Sequence, residues 1–421
     1  EEDPTAITGY RSGNQWYNKD GLAVEDPRVL QTGTQTIPYL IEGQLENGHK
    51  TPNYNTSLAF TDYNPQISVS PRVAFSFELS ENAIFFAHYD VLAQRPQDRF
   101  MPTAKDYYFF EQTVGAGGVI DNPNLKPERT IDYQIGFKQK LSKTSALTIS
   151  GFYRELKDMV QLYRVNNTYP VNGYNTYNNI DFGTVKGFDF NYDLRRTQNL
   201  RMTFNYTLQF ADGTGSGDRS QANLIDFGRP NLRSIFPLSY DSRHLINVSA
   251  DYGFGGGKDY NGPKLFGKNI LSYTNLNVIL RARSGEPYTQ QANPTPEAQF
   301  GVRSRGALDG TINGSRLPFN FRIDARLEKE FKFKTNGDKN APGFSVYVLT
   351  QNLLNTQNII GVYSYTGSAL DDGFISSAQG QEIIASQTNA QAFIDQYRMK
   401  IQDPNNYSIP RRIRVGAILT F

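Results

Sequence analysis

Residues Arg411–Phe421 read RRIRVGAILTF, and their pattern decides the fold. Ile413, Val415, Ala417, Leu419 and Phe421 alternate with Arg412, Arg414, Gly416, Ile418 and Thr420. A period of two puts the first set on one face of a strand and a largely polar set on the other. The sequence stops on an aromatic residue with no tail behind it. A closed membrane barrel needs its last strand intact, because that strand pairs with the first and leaves no edge in lipid. The pattern therefore predicts an antiparallel transmembrane β-barrel, all-β, whose other strands the chain must supply.

Composition agrees. Of 421 residues only 38% are hydrophobic, while Tyr (26), Phe (28) and Gly (36) are abundant. No run approaches the roughly 20 apolar residues of a spanning helix. Aromatic-rich, Gly-rich alternation suits strands that share lipid-facing and lumen-facing residues. The absence of Cys excludes disulfides and thiolate metal sites, and a net charge of +2 gives no footprint for nucleic acid. No signal peptide is present and residue 1 is Glu, so the start is processed or the chain is part of a longer polypeptide.

Residues 1–69 lack sustained alternation and carry turn-formers throughout, with a short hairpin conceivable near Ile37–Ile41. From residue 70 onward, alternating runs recur: Val73–Leu79, Phe85–Val91, Ile131–Phe137, Leu147–Tyr153, Phe188–Leu194, Met202–Phe210, Ile246–Tyr252, Leu276–Ala282, Phe321–Phe333, Phe344–Val348 and the terminal strand. That is about eleven strands. Mostly short turns alternate with long connections, among them a Tyr/Asn-rich loop from Tyr163 to about Gly183. A sandwich or propeller has no reason to send every second connection outward. In an outer-membrane barrel the short turns are periplasmic and the long loops extracellular, which makes residues 1–69 extracellular and residues 70–421 the barrel strands. Bacterial single-chain barrels have an even strand number. Eleven is thus half of a larger barrel, unless a missed strand in residues 1–69 completes twelve.

The segment DNPNLKPERTIDYQIGF (Asp121–Phe137) resembles a recurring sequence of TonB-dependent outer-membrane receptors, in which Asn-Pro-x-Leu-Lys-Pro-Glu precedes a barrel strand. ISVSPRVAFSFELSENAIFFAHYDVLAQRP precedes it, and DSRHLINVSADY, RSGEPYT, LPFNFRIDARLEKEF and TQNLLNTQNI follow, in an order that also resembles the family. Residues 65–421 together resemble the carboxyl-terminal barrel half of Oar-like or SusC-like receptors of Bacteroidetes. Such receptors have about 22 strands around a plug. The resemblance implies that the plug, the amino-terminal barrel half and the segment grasped by TonB lie upstream of Glu1, on the same or a cleaved polypeptide. It also implies that RVGAILTF carries the signal of the barrel-assembly machinery, with Arg414 polar, Gly416 small, and Leu419 and Phe421 hydrophobic.

Candidate chemistry is sparse. Asp189, Asp193, Arg281, Arg283, Arg322, Asp324, Arg326, Glu328 and Glu330 are expected to line an interior, where mutual ion pairing and plug contact are favoured over solute recognition because both signs are present. Tyr163, Tyr169, Tyr174 and Tyr177, set among Asn residues, form a candidate ligand-contact loop suited to sugars or peptides. Ser242 with His244 admits a hydrolase but lacks a neighbouring signature, and an interfacial strand end is the plainer reading. GFGGGK lacks phosphate-loop spacing and reads as a turn. Asp371 and Asp372 do not specify a calcium site. No cofactor and no enzyme activity are expected. The resemblance implies TonB-dependent import of a nutrient, whether glycan, peptide or chelate, by a chain embedded in outer-membrane lipid. The alternative is a non-transporting scaffold for a surface lipoprotein or a secretion complex, and a passive pore is a third reading.

Overall fold

A computed structural model describes residues 9–12, 15–18, 22–25, 45–46, 49–50, 65–97, 113–114, 117–166, 173–226, 228–296, 308–332 and 343–420. Eleven strands form one antiparallel meander: β1 (Arg72–Ser80), β2 (Ala83–Gln94), β3 (Glu128–Lys140), β4 (Ser145–Asn166), β5 (Gly173–Thr197), β6 (Leu200–Gly213), β7 (His244–Gly253), β8 (Thr274–Arg283), β9 (Asn320–Lys332), β10 (Gly343–Gln351) and β11 (Arg412–Thr420). Their order in the sheet is their order in the chain, with β1 at one edge and β11 at the other. Short segments Val119–Ile120 and Phe236–Pro237 add to β5 and β6. The eleven strands expected from alternation are all present.

Register divides the sheet into two faces, because directly opposed residues in an antiparallel pair share a face. Asn247↔Arg281↔Arg322 and Arg326↔Leu349↔Arg414 lie on one face. Val248↔Leu280↔Ile323 and Leu327↔Val348↔Val415 lie on the other. The apolar face is bare: Val73, Phe75, Phe77 and Leu79 are each more than half exposed, as are Ile135, Phe188, Ile413, Val415 and Leu419. Soluble proteins rarely expose contiguous apolar patches beyond a few hundred Å². Lipid is the solvent that suits this face. Tyr89, Tyr133 and Tyr153 oppose one another across β2, β3 and β4 with ring centroids 5.2 and 6.2 Å apart. Phe331 stacks on Phe344 at 4.8 Å nearer the opposite end. Aromatic rings near both borders of such a face match the girdles of membrane barrels. Among the described residues no helix is long and apolar enough to cross a membrane.

The connections separate the ends of the sheet. The turn end carries, among the described residues, Glu81–Asn82, 141–144, Gln198–Asn199 and 254–273, so GFGGGK does lie in a turn-end connection. The loop end carries, among the described residues, 95–97, 117–127, 214–226, 228–243, 284–296, 308–319 and 352–411.

Three expectations need correction. Within the Tyr/Asn-rich segment expected to be a loop, residues 163–166 and 173–183 instead continue β4 and β5, which run 22 and 25 residues. A membrane crossing takes only about 9–11 residues of tilted strand, so this hairpin stands well clear of any bilayer. Its alternation is lost because protein covers it in place of lipid. The connection 352–411 is not plain loop either. It holds helices α2 (Ala378–Ala385) and α3 (Ala390–Ile401), while a shorter α1 (Ala222–Asp226) lies in 214–243. Ser377 and Asn389 cap α2 and α3 by accepting from Gly380 N and Ala392 N, each at 3.0 Å. Both helices pack on a small core of Tyr363, Phe374, Tyr397 and Ile401. Finally, residues 1–69 include a three-stranded sheet (Gly9–Ser12, Gln15–Asn18, Ala23–Val24) and a small hairpin (Leu45–Glu46, His49–Lys50). The hairpin considered at Ile37–Ile41 lies outside the described residues.

Candidate functional site

The segment Asn122–Arg129 bolts the loop end to the long hairpin. Asn122 Nδ2 donates to the Tyr177 carbonyl at 2.9 Å, and Lys126 N donates to Asn179 Oδ1 at 2.7 Å. Asn179 Nδ2 returns a bond to the Lys126 carbonyl at 2.9 Å. Leu125 is buried with Val160, Leu162, Tyr177 and Ile225. Glu128 Oε1 accepts from Val160 N at 2.7 Å, just past a bulge in β4 where Asp158 adopts φ +57°. Arg129 pairs with Asp158 at 2.8 Å. A bulge leaves backbone groups unpaired, and here side chains of the Asn-Pro-x-Leu-Lys-Pro-Glu run satisfy them. In this chain the motif acts structurally.

Above the bulge a buried polar network joins the hairpin to residues 214–232. Gln161 and Asp181 are both buried, and Gln161 Nε2 donates to Asp181 Oδ2 at 2.8 Å. The same nitrogen reaches Ser220 Oγ at 2.7 Å and the Gly217 carbonyl at 3.1 Å. Thr214 donates to Asp181 Oδ1 at 2.9 Å, and Gln221 binds the Thr214 carbonyl and Leu232 N. Burial pushes the Asp181 carboxyl above the usual carboxylate range; the Gln161 and Thr214 hydrogen bonds and the charge of Arg233 oppose the rise.

Beside this network opens a cleft of about 500 Å³, lined by Tyr163, Arg164, Ile180, Arg229, Asn231 and Arg233 among others. Arg164 is fixed by Asn166 Oδ1 and Asn175 Oδ1, each at 3.2 Å. Arg233 Nη1 donates to the Ile180 carbonyl at 2.8 Å. Among the described residues none of the three arginines forms an ion pair. The sequence reading missed them. Arg164 lies more than 60 positions from Arg229, and a strand tip beside a Gly-Arg-Pro-Asn-Leu-Arg turn carries no local pattern that joins them.

The polar face of the sheet is different. Asp324, buried, receives Arg322 Nε and Nη2, each at 2.7 Å, Arg281 Nη1 at 3.2 Å and Asn352 N at 2.8 Å. Arg326 pairs with Glu328 at 2.8 Å and lies 4.2 Å from the Tyr347 ring centroid. Arg283 pairs with Glu286 at 2.6 Å, and Glu330 with Lys332 at 3.7 Å. Asp189 accepts from Thr207 at 2.6 Å. Asp193 accepts from Thr203 at 3.3 Å inside a turn-end cleft shared with Lys138, Lys140, Arg195 and Arg201. The charges expected on an interior face therefore share one face of the sheet.

The aromatic candidates disperse. Tyr163 is exposed on β4, Tyr174 is half-buried on β5 and Tyr177 is buried in the hairpin's own core; Tyr169 lies outside the described residues. On β11, Arg414 and Leu419 are exposed, and Phe421 lies outside the described residues. Gly416 opposes Tyr347, where an added Cβ would lie 2.5 Å from the Tyr347 ring. A larger residue there would have to push the Tyr347 ring aside. His244 Nδ1 lies 2.9 Å from the Tyr206 hydroxyl, so the geometry pairs His244 with Tyr206. Asp372 accepts from the Tyr397 hydroxyl at 2.5 Å and Phe374 N at 3.0 Å, and Asp371 accepts from Gly373 N at 2.9 Å, so both shape a turn.

Comparison with known proteins adds the family. The sequence profile of the TonB dependent receptor-like, beta-barrel family matches residues 44–353. Among solved structures the chain is similar to FpvA of P. aeruginosa bound to heterologous pyoverdines, at 12% identity and TM-score 0.43, over 83% of this chain and 32% of that one. It is also similar to the ferric-catecholate import receptor Fiu from K12 E. coli, at 17% identity and TM-score 0.42, over 70% and 32%. The outer membrane transporter YddB from Escherichia coli aligns at 11% identity and TM-score 0.43, over 66% and 36%. The chain thus spans about a third of the length of these structures. No curated protein matches it.

Proposed function

Because this chain belongs to the family of TonB dependent receptor-like β-barrels, which are outer-membrane proteins, we propose that it is the carboxyl-terminal barrel portion of a receptor importing a nutrient. The observation that carries the reading is the division of eleven strands into a bare apolar face and an opposite face whose charges pair. Lipid takes the first face, and the second encloses a wet or plugged lumen. That β1 and β11 are unpaired sheet edges among the described residues supports a barrel of about 22 strands, completed by strands that precede β1 in the polypeptide. In this reading the turn end is periplasmic, the loop end and residues 1–69 are extracellular, and residues 70–421 supply the barrel. A plug contacts the polar face through Asp189, Asp193, Arg281, Arg283, Arg322, Asp324 and Arg326, and TonB displaces it. Arg414, Gly416, Leu419 and Phe421 serve barrel assembly.

The Asn-Pro-x-Leu-Lys-Pro-Glu run and the motifs after it support assignment to the SusC-like or Oar-like receptors of Bacteroidetes, with a surface lipoprotein as a loop-end partner. A glycan, peptide or chelate is the cargo, contacted by Tyr163 and its neighbours. Uptake assays with a panel of such nutrients test the proposal. Deletion of the gene and deletion of TonB should abolish uptake of the same compound. Unchanged uptake across the panel, with loss of a surface complex instead, would replace transport by scaffolding.

A further inference from the structure

We propose that the loop-end cleft between the tip of β4, Ile180 and the 228–233 turn binds a small dissolved anion carrying carboxylate or phosphate groups. This rests on the reading of the loop end as the ligand-facing side. The first observation is charge. Arg164, Arg229 and Arg233 come from segments far apart in sequence and meet at one cleft, and among the described residues none forms an ion pair. Among the described residues two other pairs of arginines each gather around a carboxylate, Arg281 and Arg322 at Asp324 and Arg243 and Arg316 at Asp241. Three guanidinium groups lining one cleft with no ion pair among the described residues favour a bound oxyanion.

The second observation is preorganisation. Two amide oxygens fix the Arg164 guanidinium, and the Ile180 carbonyl engages one nitrogen of Arg233 and leaves others for a ligand. Planar guanidinium groups bind carboxylate and phosphate oxygens bidentately. Asp181 feels the charge of Arg233 but is enclosed by Gln161 and Thr214 and forms no ion pair with it.

The third observation is the rest of the lining. Asn231 also lines the cleft, and its Nδ2 donates to the Leu162 carbonyl at 2.9 Å. The exposed ring of Tyr163 and the Ile180 side chain offer apolar contact to the carbon skeleton. A cleft of about 500 Å³ fits a molecule of that size.

Calorimetric titration of the intact protein in detergent tests this, with citrate and pyrophosphate as probes and glycerol as the uncharged control. Citrate should bind, binding should weaken as NaCl rises, and glycerol should give no heat. The double variant Arg229→Gln/Arg233→Gln should lose about tenfold or more in citrate affinity, with Arg229→Lys in between and heat-modifiable gel migration unchanged. Pyrophosphate should bind through the same guanidinium groups and lose affinity in the same double variant. Equal binding by wild type and double variant, equal heat from glycerol, or retention by lipopolysaccharide micelles without a citrate response would each overturn the proposal. The titration needs neither TonB nor energy. Failed binding with TonB-dependent uptake intact therefore overturns the cleft alone, and intact binding without uptake overturns the transport reading alone.

Discussion

Two groups of arginines in this protein are handled in opposite ways. On the polar face of the sheet, Arg281 and Arg322 converge on Asp324, whose oxygens also take Asn352 N. At the loop end, Arg164, Arg229 and Arg233 converge on open space. The first group spends its charge on the fold and the second holds it in reserve. A cation that is paired and hydrogen-bonded inside the sheet is structural, because removing one partner strands the other. A cation fixed by neutral groups and left without a counterion is available for recognition.

The comparison breaks first at Asp324. Asp324→Ala leaves two guanidiniums facing each other across β8 and β9, and about 3 kcal/mol should be lost. Urea unfolding in detergent checks it; a loss under about 1 kcal/mol would mean that solvent already screens the node. Leu125→Ala probes the scaffold that holds the cleft and should cost about 2–3 kcal/mol. Hydrogen exchange should locate that loss in β4, β5 and the 214–232 segment, with β8 to β11 unchanged.

A smaller effect concerns pH. Burial raises the Asp181 carboxyl above its ordinary value. A raised carboxyl contributes stability that is full below the unfolded-state value and disappears as pH rises through the folded-state value. Loop-end protection, corrected for intrinsic exchange, should therefore be greater in mild acid than at neutral pH. Asp181→Asn should flatten that dependence, and an unchanged slope would assign it to other groups. The smallest effect sharpens the contrast most. Arg229→Gln should change stability by no more than about 0.5 kcal/mol, since the folded state uses no ion pair of that side chain. A loss near that of Asp324→Ala would erase the distinction between the two groups.

The lipid-spanning parts were legible in the sequence because one face of each must be apolar. Ile413, Val415, Ala417 and Leu419 on β11, and Ile131 to Phe137 on β3, fall on the face that period two assigns. Above the membrane that rule lapses. The upper part of the β4–β5 hairpin packs protein on both faces, so Gln161 and Asp181 are buried where alternation expects apolar residues. Tyr177 looked like a ligand contact and is instead the hairpin's core. The interior charges were readable as a class, whereas their partners needed register: Arg281 meets Asp324 across two strands joined by a connection of irregular length. The arginine cleft was invisible, since no periodic pattern links residue 164 to residues 229 and 233.

The central claim is that one face of the sheet meets lipid and the other a polar interior. The chain has no cysteine, so single cysteines at Thr203, Phe204, Asn205, Tyr206, Thr207 and Leu208 on β6 can each carry a spin label in liposomes. Accessibility to dissolved oxygen should rise at Phe204, Tyr206 and Leu208 and fall at Thr203, Asn205 and Thr207, with polar nickel chelate showing no matching rise at the first set. A profile without a period of two, or one in the opposite phase, would contradict the account.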